Sequence, residues 1–336
     1  MKQIQSYTSH QQTGILLNAN ESTYRLEESV IEVIQESIQT MAFNRYPDTD
    51  CQTLKEIYAK RIGKSPEQIV VGNGSDQILG LLIGSFLGKN KILYTLDPDF
   101  SMYDYYASMY DAQVKKYSLD DFSMDSFIED GKEADMILFS NPNNPSGNYI
   151  EKKDIQKLIE AFPNIPIVID EAYAEFSNED CLDLIELYPN VYITRTLSKA
   201  YALAGIRVGF LISSKENIKN IHKKMVPYSV SCIDQKIAEI VLQHPKGLDE
   251  EIQRIKTARE QILQNKNQFK KMQFIDSQAN FICVKSPNIQ EIIYAFEQSR
   301  IQIRKFSGKD YCRITIGTNE EIQAVWNVLK EVEERL

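Results

Sequence analysis

The segment Thr194-Arg195-Thr196-Leu197-Ser198-Lys199-Ala200-Tyr201-Ala202-Leu203-Ala204-Gly205-Ile206-Arg207-Val208-Gly209 sets a lysine between two apolar runs, with a serine one residue before it and an arginine eight after. Most lysines keep their ammonium in water and do nothing more. One enclosed on both sides by strand-like sequence is a candidate for catalysis. Three other stretches follow β-branched runs in the same way. Gly72-Asn73-Gly74-Ser75-Asp76 leads into a helical pattern, so small residues and free backbone N–H groups meet at a helix start that suits a phosphate; a plain turn with a Ser or Asp cap is the commoner origin of such a pattern. Asn141-Pro142-Asn143-Asn144-Pro145-Ser146-Gly147 is too rich in turn formers to continue a strand or a helix. It reads as a shaped loop that holds an asparagine in one pose, with a cis bond expected at Asn144-Pro145. Asp170-Glu171-Ala172-Tyr173 ends a run in an acid, which leaves a helix cap, a metal ligand and a cofactor contact open.

The elements that would position these residues are legible from periodicity. Seven short apolar runs, Ile69-Val71, Lys91-Leu96, Val114-Tyr117, Asp135-Ser140, Ile165-Asp170, Val191-Arg195 and Val208-Ile212, alternate with segments of helical period. Several show little polar alternation, as strands covered by helices on both faces should, which predicts an α/β layer with a mostly parallel seven-stranded sheet. Ligands of such sheets sit at the carboxyl ends of the strands, and all four stretches above lie at such ends. After about residue 234 the character changes to a long helical region, Glu250 to Met272, two strands at Asn280-Val284 and Arg313-Ile316, and an amphipathic helix from Asn319. We therefore expect a large domain over residues 30–234 and a smaller α+β domain over 235–336, with residues 1–29 packing against the smaller one.

Composition narrows the function. The 336 residues are 43% hydrophobic and 25% charged, an ordinary globular balance. A net charge of −9 repels nucleic acid and anionic membranes, so an anionic ligand would be caught by local arginines. The strongly apolar stretch Ile78 to Gly88 is far short of the roughly 18 residues of a spanning helix, and no basic-then-apolar leader opens the chain; a cytoplasmic protein is expected. The five cysteines include no C-x-x-C pair and the three histidines no H-E-x-x-H spacing, so neither a disulfide framework nor a metal centre is expected.

Ser198-Lys199 with Arg207, Asp170 with Tyr173, the Asn144-Pro145-x-Gly147 loop and the Gly74-Ser75-Asp76 turn stand in the order and approximate spacing of the fold-type-I pyridoxal-phosphate aminotransferases, and the resemblance covers nearly the whole chain. Within that superfamily Leu17-Asn18-Ala19-Asn20-Glu21, Asn44-Arg45-Tyr46-Pro47-Asp48, Arg195 to Ala200 and Arg313-Ile314-Thr315-Ile316-Gly317-Thr318 resemble the histidinol-phosphate aminotransferases. The resemblance implies pyridoxal 5'-phosphate as cofactor and transfer of an amino group between L-histidinol phosphate and 2-oxoglutarate. Lys199 would bond to the cofactor aldehyde and then shuttle the substrate proton. Asp170 would pair with the ring nitrogen, and Asn144 and Tyr173 would hold the phenolic oxygen. Backbone N–H groups at Gly74 and Ser75, the Ser198 hydroxyl and Arg207 would hold the phosphate, with Tyr46 reaching in from a second copy of the chain in a homodimer, and Asp76 and Thr196 would also bind the cofactor. Phe100 would stack on the ring, without the hydroxyl of the tyrosine often found there. Arg313 would grip a substrate carboxylate bidentately, while Arg304, Tyr7 and Asn20 would contact the second substrate.

Two other reactions share this scaffold. Aromatic amino-acid aminotransferases would turn over phenylalanine and tyrosine in preference to histidinol phosphate, and threonine-phosphate decarboxylases would release carbon dioxide without an oxo-acid acceptor. A non-catalytic cofactor-binding module is a third class, which failure to exchange amino groups with any amino acid would favour; the sequence carries no added DNA-binding segment.

Overall fold

The computed structural model of the chain describes residues 13–336. Its strands are β1 (Ile15–Leu17), β2 (Ile69–Asn73), β3 (Ile92–Asp97), β4 (Gln113–Ser118), β5 (Met136–Ser140), β6 (Ile167–Asp170), β7 (Val191–Thr196), β8 (Val208–Ser213), β9 (Gln273–Ile275), β10 (Phe281–Lys285), β11 (Ile301–Lys305) and β12 (Tyr311–Thr315). Seven of them form one sheet in the order β2-β8-β7-β6-β5-β3-β4. All its pairings are parallel except the two made by β8. The seven expected strands are therefore present, each within two residues of its expected bounds.

The central strands are apolar throughout because both their faces are covered. Successive side chains of a strand point to opposite faces, and here Met136, Leu138 and Val168 join one buried cluster while Ile137, Phe139, Ile167 and Ile169 join the other. Helices that cover the sheet are striped to match. Lys152–Ala161 buries Ile155, Leu158 and Ile159, spaced three and four apart as one helical face requires, and leaves Lys153 and Lys157 outward. The edge strand β4 carries Lys115 and Lys116, charges that discourage pairing with another chain.

The remaining strands form a second sheet in the order β1-β11-β12-β10-β9. Two of these were expected. The others lie at or near the sheet's edges: β1 and β9 have three residues each, too few for a period of two to stand out, whereas β11 alternates Ile301-Gln302-Ile303-Arg304 with burial to match, a signal that sequence reasoning missed. The long helix is Lys246–Gln264, shorter at its C-terminal end than the expected run to Met272. A turn at Lys266–Gln268 follows, and Phe269 then packs edge-on against Trp326 at 5.0 Å, which fixes the chain on its way to β9. The C-terminal helix Asn319–Arg335 starts at the expected residue, held by a reciprocal cap in which Glu321 N donates to Thr318 Oγ1 (3.2 Å) and Thr318 N to Glu321 Oε2 (2.8 Å).

Candidate active site

Parallel pairing brings the carboxyl ends of β5, β6 and β7 level, so that Ser140, Asp170 and Thr194 stand side by side across the sheet. Asp170 is 3% exposed. Thr194 Oγ1 donates to its Oδ1 (2.9 Å) and Tyr103 Oη to its Oδ2 (2.8 Å). Burial pushes the carboxyl up to about 6, against the pull of those two donors, because burial penalises its charged form and neither donor carries a compensating charge. Just past β7 the chain turns and Lys199 enters the same pocket, half-buried, with Nζ donating to the backbone oxygen of Ala19 (2.9 Å). Burial lowers its amine to about 8, helped by the Arg313 and Arg207 cations and opposed by Glu21 and Asp76. Lys199 and Asp170, which the sequence places 29 residues apart, thus face one cavity.

At one end of that cavity lie Ser75 and Asp76, in the first turn of the helix Gly74–Phe86, together with Ser198 and Arg207. Arg207 Nη1 donates to Ser198 Oγ (3.2 Å) and Nη2 to Asp76 Oδ2 (2.8 Å), and Thr196 Oγ1 donates to Ser198 Oγ (3.0 Å). The closeness depends on two glycines. A Cβ on Gly74, whose φ of +71° already favours glycine, would stand 2.7 Å from Arg207 Nη2; one on Gly209 would stand 2.2 Å from the Ser75 nitrogen. The result is a concavity of backbone N–H groups, hydroxyls and a guanidinium at a helix N-terminus, the chemistry of an anion site. The Arg207–Asp76 pair is substantially solvent-exposed, so it contributes little and can be exchanged for an incoming anion.

The asparagine-rich loop is shaped by its own side chains. Asn141 exchanges two hydrogen bonds with Ile150, and Asn143 binds Ser146 and the Pro98 oxygen. Asn144-Pro145 is cis as expected, as are Asn141-Pro142 and Asp97-Pro98. This leaves Asn144 facing the cavity, with its backbone N–H on Ser140 Oγ (2.9 Å) and its side-chain oxygen on Arg313 Nη1. Arg313 comes from β12 of the second sheet and also donates through Nη2 to the Asn18 oxygen (2.9 Å). Tyr173 and Phe100 complete the walls.

The remaining expected residues stand further off. Asn20, expected to contact substrate, is fully buried outside the cavity lining and reaches it through Tyr173, to whose Oη its Nδ2 donates (3.0 Å). Arg304 lies directly across from Arg313 in the β11–β12 ladder, with its guanidinium near the Phe306 ring. Tyr46 is 80% exposed, outside this chain's own cavity, and stacks on Tyr228 with centroids 4.6 Å apart. Tyr7 lies outside the described residues. Sequence reasoning missed Tyr103, Thr194 and Ser140. Tyr103 had a signal: it falls three residues after Phe100 at the start of the helix Met102–Met109, one helical step that turns both rings to the same side, edge to face at 5.6 Å. Thr194 follows from β7 pairing in parallel with β6.

A histidinol-phosphate aminotransferase of Clostridium novyi (strain NT) is 36% identical over 325 residues, 94% of this chain and 91% of the relative. Two crystal structures superpose over 96% of the chain at 24% identity: histidinol-phosphate aminotransferase from Sinorhizobium meliloti in complex with pyridoxal-5'-phosphate, with a TM-score of 0.85 over 91% of that chain, and histidinol-phosphate aminotransferase from Clostridium acetobutylicum, with a TM-score of 0.86 over all of it. The sequence model of aminotransferase class I and II matches residues 12–329, and the chain belongs to that family.

Proposed function

We propose that this protein binds pyridoxal 5'-phosphate in the cavity described above and transfers the amino group of L-histidinol phosphate to 2-oxoglutarate, giving imidazole acetol phosphate and L-glutamate as a step of histidine biosynthesis. The observation that carries the reading is that Lys199 and Asp170 share one cavity. The donor set suits the cofactor along its length. Phosphate fits the N–H, hydroxyl and guanidinium groups of Gly74, Ser75, Thr196, Ser198 and Arg207, and the aromatic face fits Phe100. A buried acid held by two neutral hydroxyls suits a ring nitrogen that brings its own proton.

When bound, the cofactor supplies a conjugated, protonated ring that withdraws electrons from the substrate Cα. Everything else falls to the chain's own residues. Lys199, with an amine near 8, is partly neutral at physiological pH and can act as nucleophile toward an aldehyde and as base toward the Cα proton. Asp170, enclosed by Tyr103 and Thr194, keeps the ring-nitrogen proton in place. Asn144 and Tyr173 hold the phenolic oxygen. Arg313 takes the substrate carboxylate through the planar fork that now engages Asn144 and Asn18. Arg304, one strand away, and Tyr7 are placed on the phosphate of histidinol phosphate in this reading.

The same reading includes a homodimer. Tyr46 is almost fully exposed and stacks on exposed Tyr228, and Phe43 and Val226, a few residues along the chain from each, are exposed as well, large apolar side chains that a partner surface could cover; on the partner, Tyr46 would complete the phosphate end. No helix among the described residues is long and apolar enough to cross a membrane, and all five cysteines are free, in keeping with a cytoplasmic location. We divide the chain at about residue 234, within the helix Cys232–Gln243, which packs on Glu28–Gln39 and Gln52–Ile62.

The test is a half-reaction. Protein loaded with pyridoxal phosphate is mixed with histidinol phosphate alone, then with phenylalanine or tyrosine alone. Histidinol phosphate should convert the visible absorption band of the cofactor to that of its amine form at far lower concentration than the aromatic amino acids; equal or reversed preference would overturn the substrate assignment.

A further inference from the structure

Three consecutive residues of the N-terminal segment each touch a different side chain of the site. The Asn18 oxygen accepts from Arg313 Nη2 (2.9 Å), the Ala19 oxygen accepts from Lys199 Nζ (2.9 Å), and Asn20 Nδ2 donates to Tyr173 Oη (3.0 Å). Asn20 is where the chain turns. Its φ of +54° lies in the left-handed region, which asparagine tolerates better than most residues, and Asn280 Nδ2 holds its oxygen (3.1 Å).

The sense of the Asn20 amide is fixed by its other neighbour. The Asn20 backbone N–H donates to Thr315 Oγ1 (3.1 Å), and the single Thr315 hydroxyl proton goes to Asn20 Oδ1 (3.1 Å). Turned over, the amide would offer Thr315 a second donor and leave its buried hydroxyl proton without an acceptor among the described residues. Nδ2 is therefore the end that meets Tyr173. A phenol oxygen that accepts from an amide still has its own proton to give. Burial keeps Tyr173 protonated, and its ring lines the cavity.

We propose that Asn20 is a positioning residue: by donating to Tyr173 Oη it turns the Tyr173 O–H into the cavity, toward the phenolic oxygen of the bound cofactor, and Thr315 on β12 holds the amide in that sense. The inference rests on the reading of Tyr173 given above. It also makes the second sheet part of the cofactor site, because the hydroxyl that fixes the amide stands two residues from Arg313 on the same strand.

Asn20→Asp tests it, since aspartate keeps the shape and the tolerance of the left-handed backbone but puts an acceptor where the donor was, drawing the tyrosine proton out of the cavity. Wild type, Asn20→Asp, Tyr173→Phe and the double variant are loaded with pyridoxal phosphate. The pH midpoint of the visible absorption band and the dissociation constant of the cofactor are then measured, with thermal unfolding alongside. Each single variant should move the midpoint in the same direction, by about one pH unit for one hydrogen bond, and weaken cofactor binding. The double variant should match Tyr173→Phe. An Asn20→Asp shift of equal size in both backgrounds overturns the inference and leaves Tyr173 in its role. A midpoint unmoved by Tyr173→Phe overturns the role of Tyr173 and the inference with it. Should Asn20→Asp not fold, Thr315→Val replaces it: releasing Oδ1 lets the amide turn, giving a smaller shift that must vanish in the Tyr173→Phe background, and a shift that persists there overturns the proposal.

Discussion

Asp170 and Glu171 are adjacent, equally buried and lie at the end of one strand, yet their surroundings are opposite. Glu171 points away from the cavity into a closed set of charges. Arg195 gives it two hydrogen bonds (2.9 and 2.6 Å) and reaches Asp180 at 2.8 Å and Glu175 at 3.6 Å. Those carboxylates hold the guanidinium firmly protonated. Asp170, one residue earlier and on the other face, has two neutral hydroxyls, and Lys199 across the cavity has a backbone carbonyl; neither forms an ion pair among the described residues. The back of the strand ends is an ion-pair network that joins β6 to β7; burial raises Glu171 and Glu175 there too, but the Arg195 cation opposes it with a full charge. The front keeps an acid and an amine whose charges are disfavoured, a state that persists only where another part of the structure supplies the stability. Side-chain alternation along β6 and β7 is what separates the two, sending Asp170 and Thr194 one way and Glu171 and Arg195 the other.

Substitutions on the two faces should therefore fail in different ways. On the front, Lys199→Ala should lower kcat/KM for transamination by at least about 10⁴-fold and abolish the cofactor absorption band that borohydride traps. Its thermal unfolding midpoint should not fall; an unchanged band would remove Lys199 from its role. On the back, Arg195→Leu leaves three carboxylates facing one another and should cost about 3–5 kcal/mol of unfolding free energy by denaturant titration. A loss below about 1 kcal/mol would break the comparison.

A third measurement uses pH. The folded carboxyl of Asp170 lies near 6, above its ordinary value of 3.8, so between those values the folded state holds more protons than the unfolded one. Its contribution to stability is then present at low pH and lost as pH rises through about 6, by roughly 3 kcal/mol. Cofactor-free wild type should lose most of this, about 2 kcal/mol more than Asp170→Asn, between pH 4 and 7, and parallel stability curves would count against an isolated buried acid. The smallest effect is expected of Arg313→Lys, which keeps the charge but not the fork; the Michaelis constant for glutamate should rise roughly tenfold, and an equal constant would take Arg313 out of carboxylate binding.

The parts of this site that were legible beforehand lie on the larger sheet, where an apolar run followed at once by Gly-Ser-Asp, Asn-Pro, Asp-x-x-Tyr or Ser-Lys marks a strand end by local chemistry alone. Periodicity located the seven strands to within two residues, and ligands of such sheets gather at the carboxyl ends. The resemblance to a known family then supplied roles that spacing could not. The contributions of the second sheet were far less visible. Strands β1 and β9 have three residues each, too few to show a period, and Asn20, picked as a substrate contact, turned out to be buried behind Tyr173.

Sequence by itself determined the alternation that covers both faces of the larger sheet, the turn chemistry at its strand ends, and so which residues could meet at all. Only the tertiary structure decided that Tyr103 and Thr194 hold Asp170, that Ala19 holds Lys199, and that residues 18–20 join Arg313 and Thr315 to the same cavity. Strand and turn formation depend on neighbours along the chain, whereas these contacts link residues as much as 295 positions apart, brought together when the two sheets pack. No local pattern records such a contact, because the energy that makes it is the burial of both partners at once.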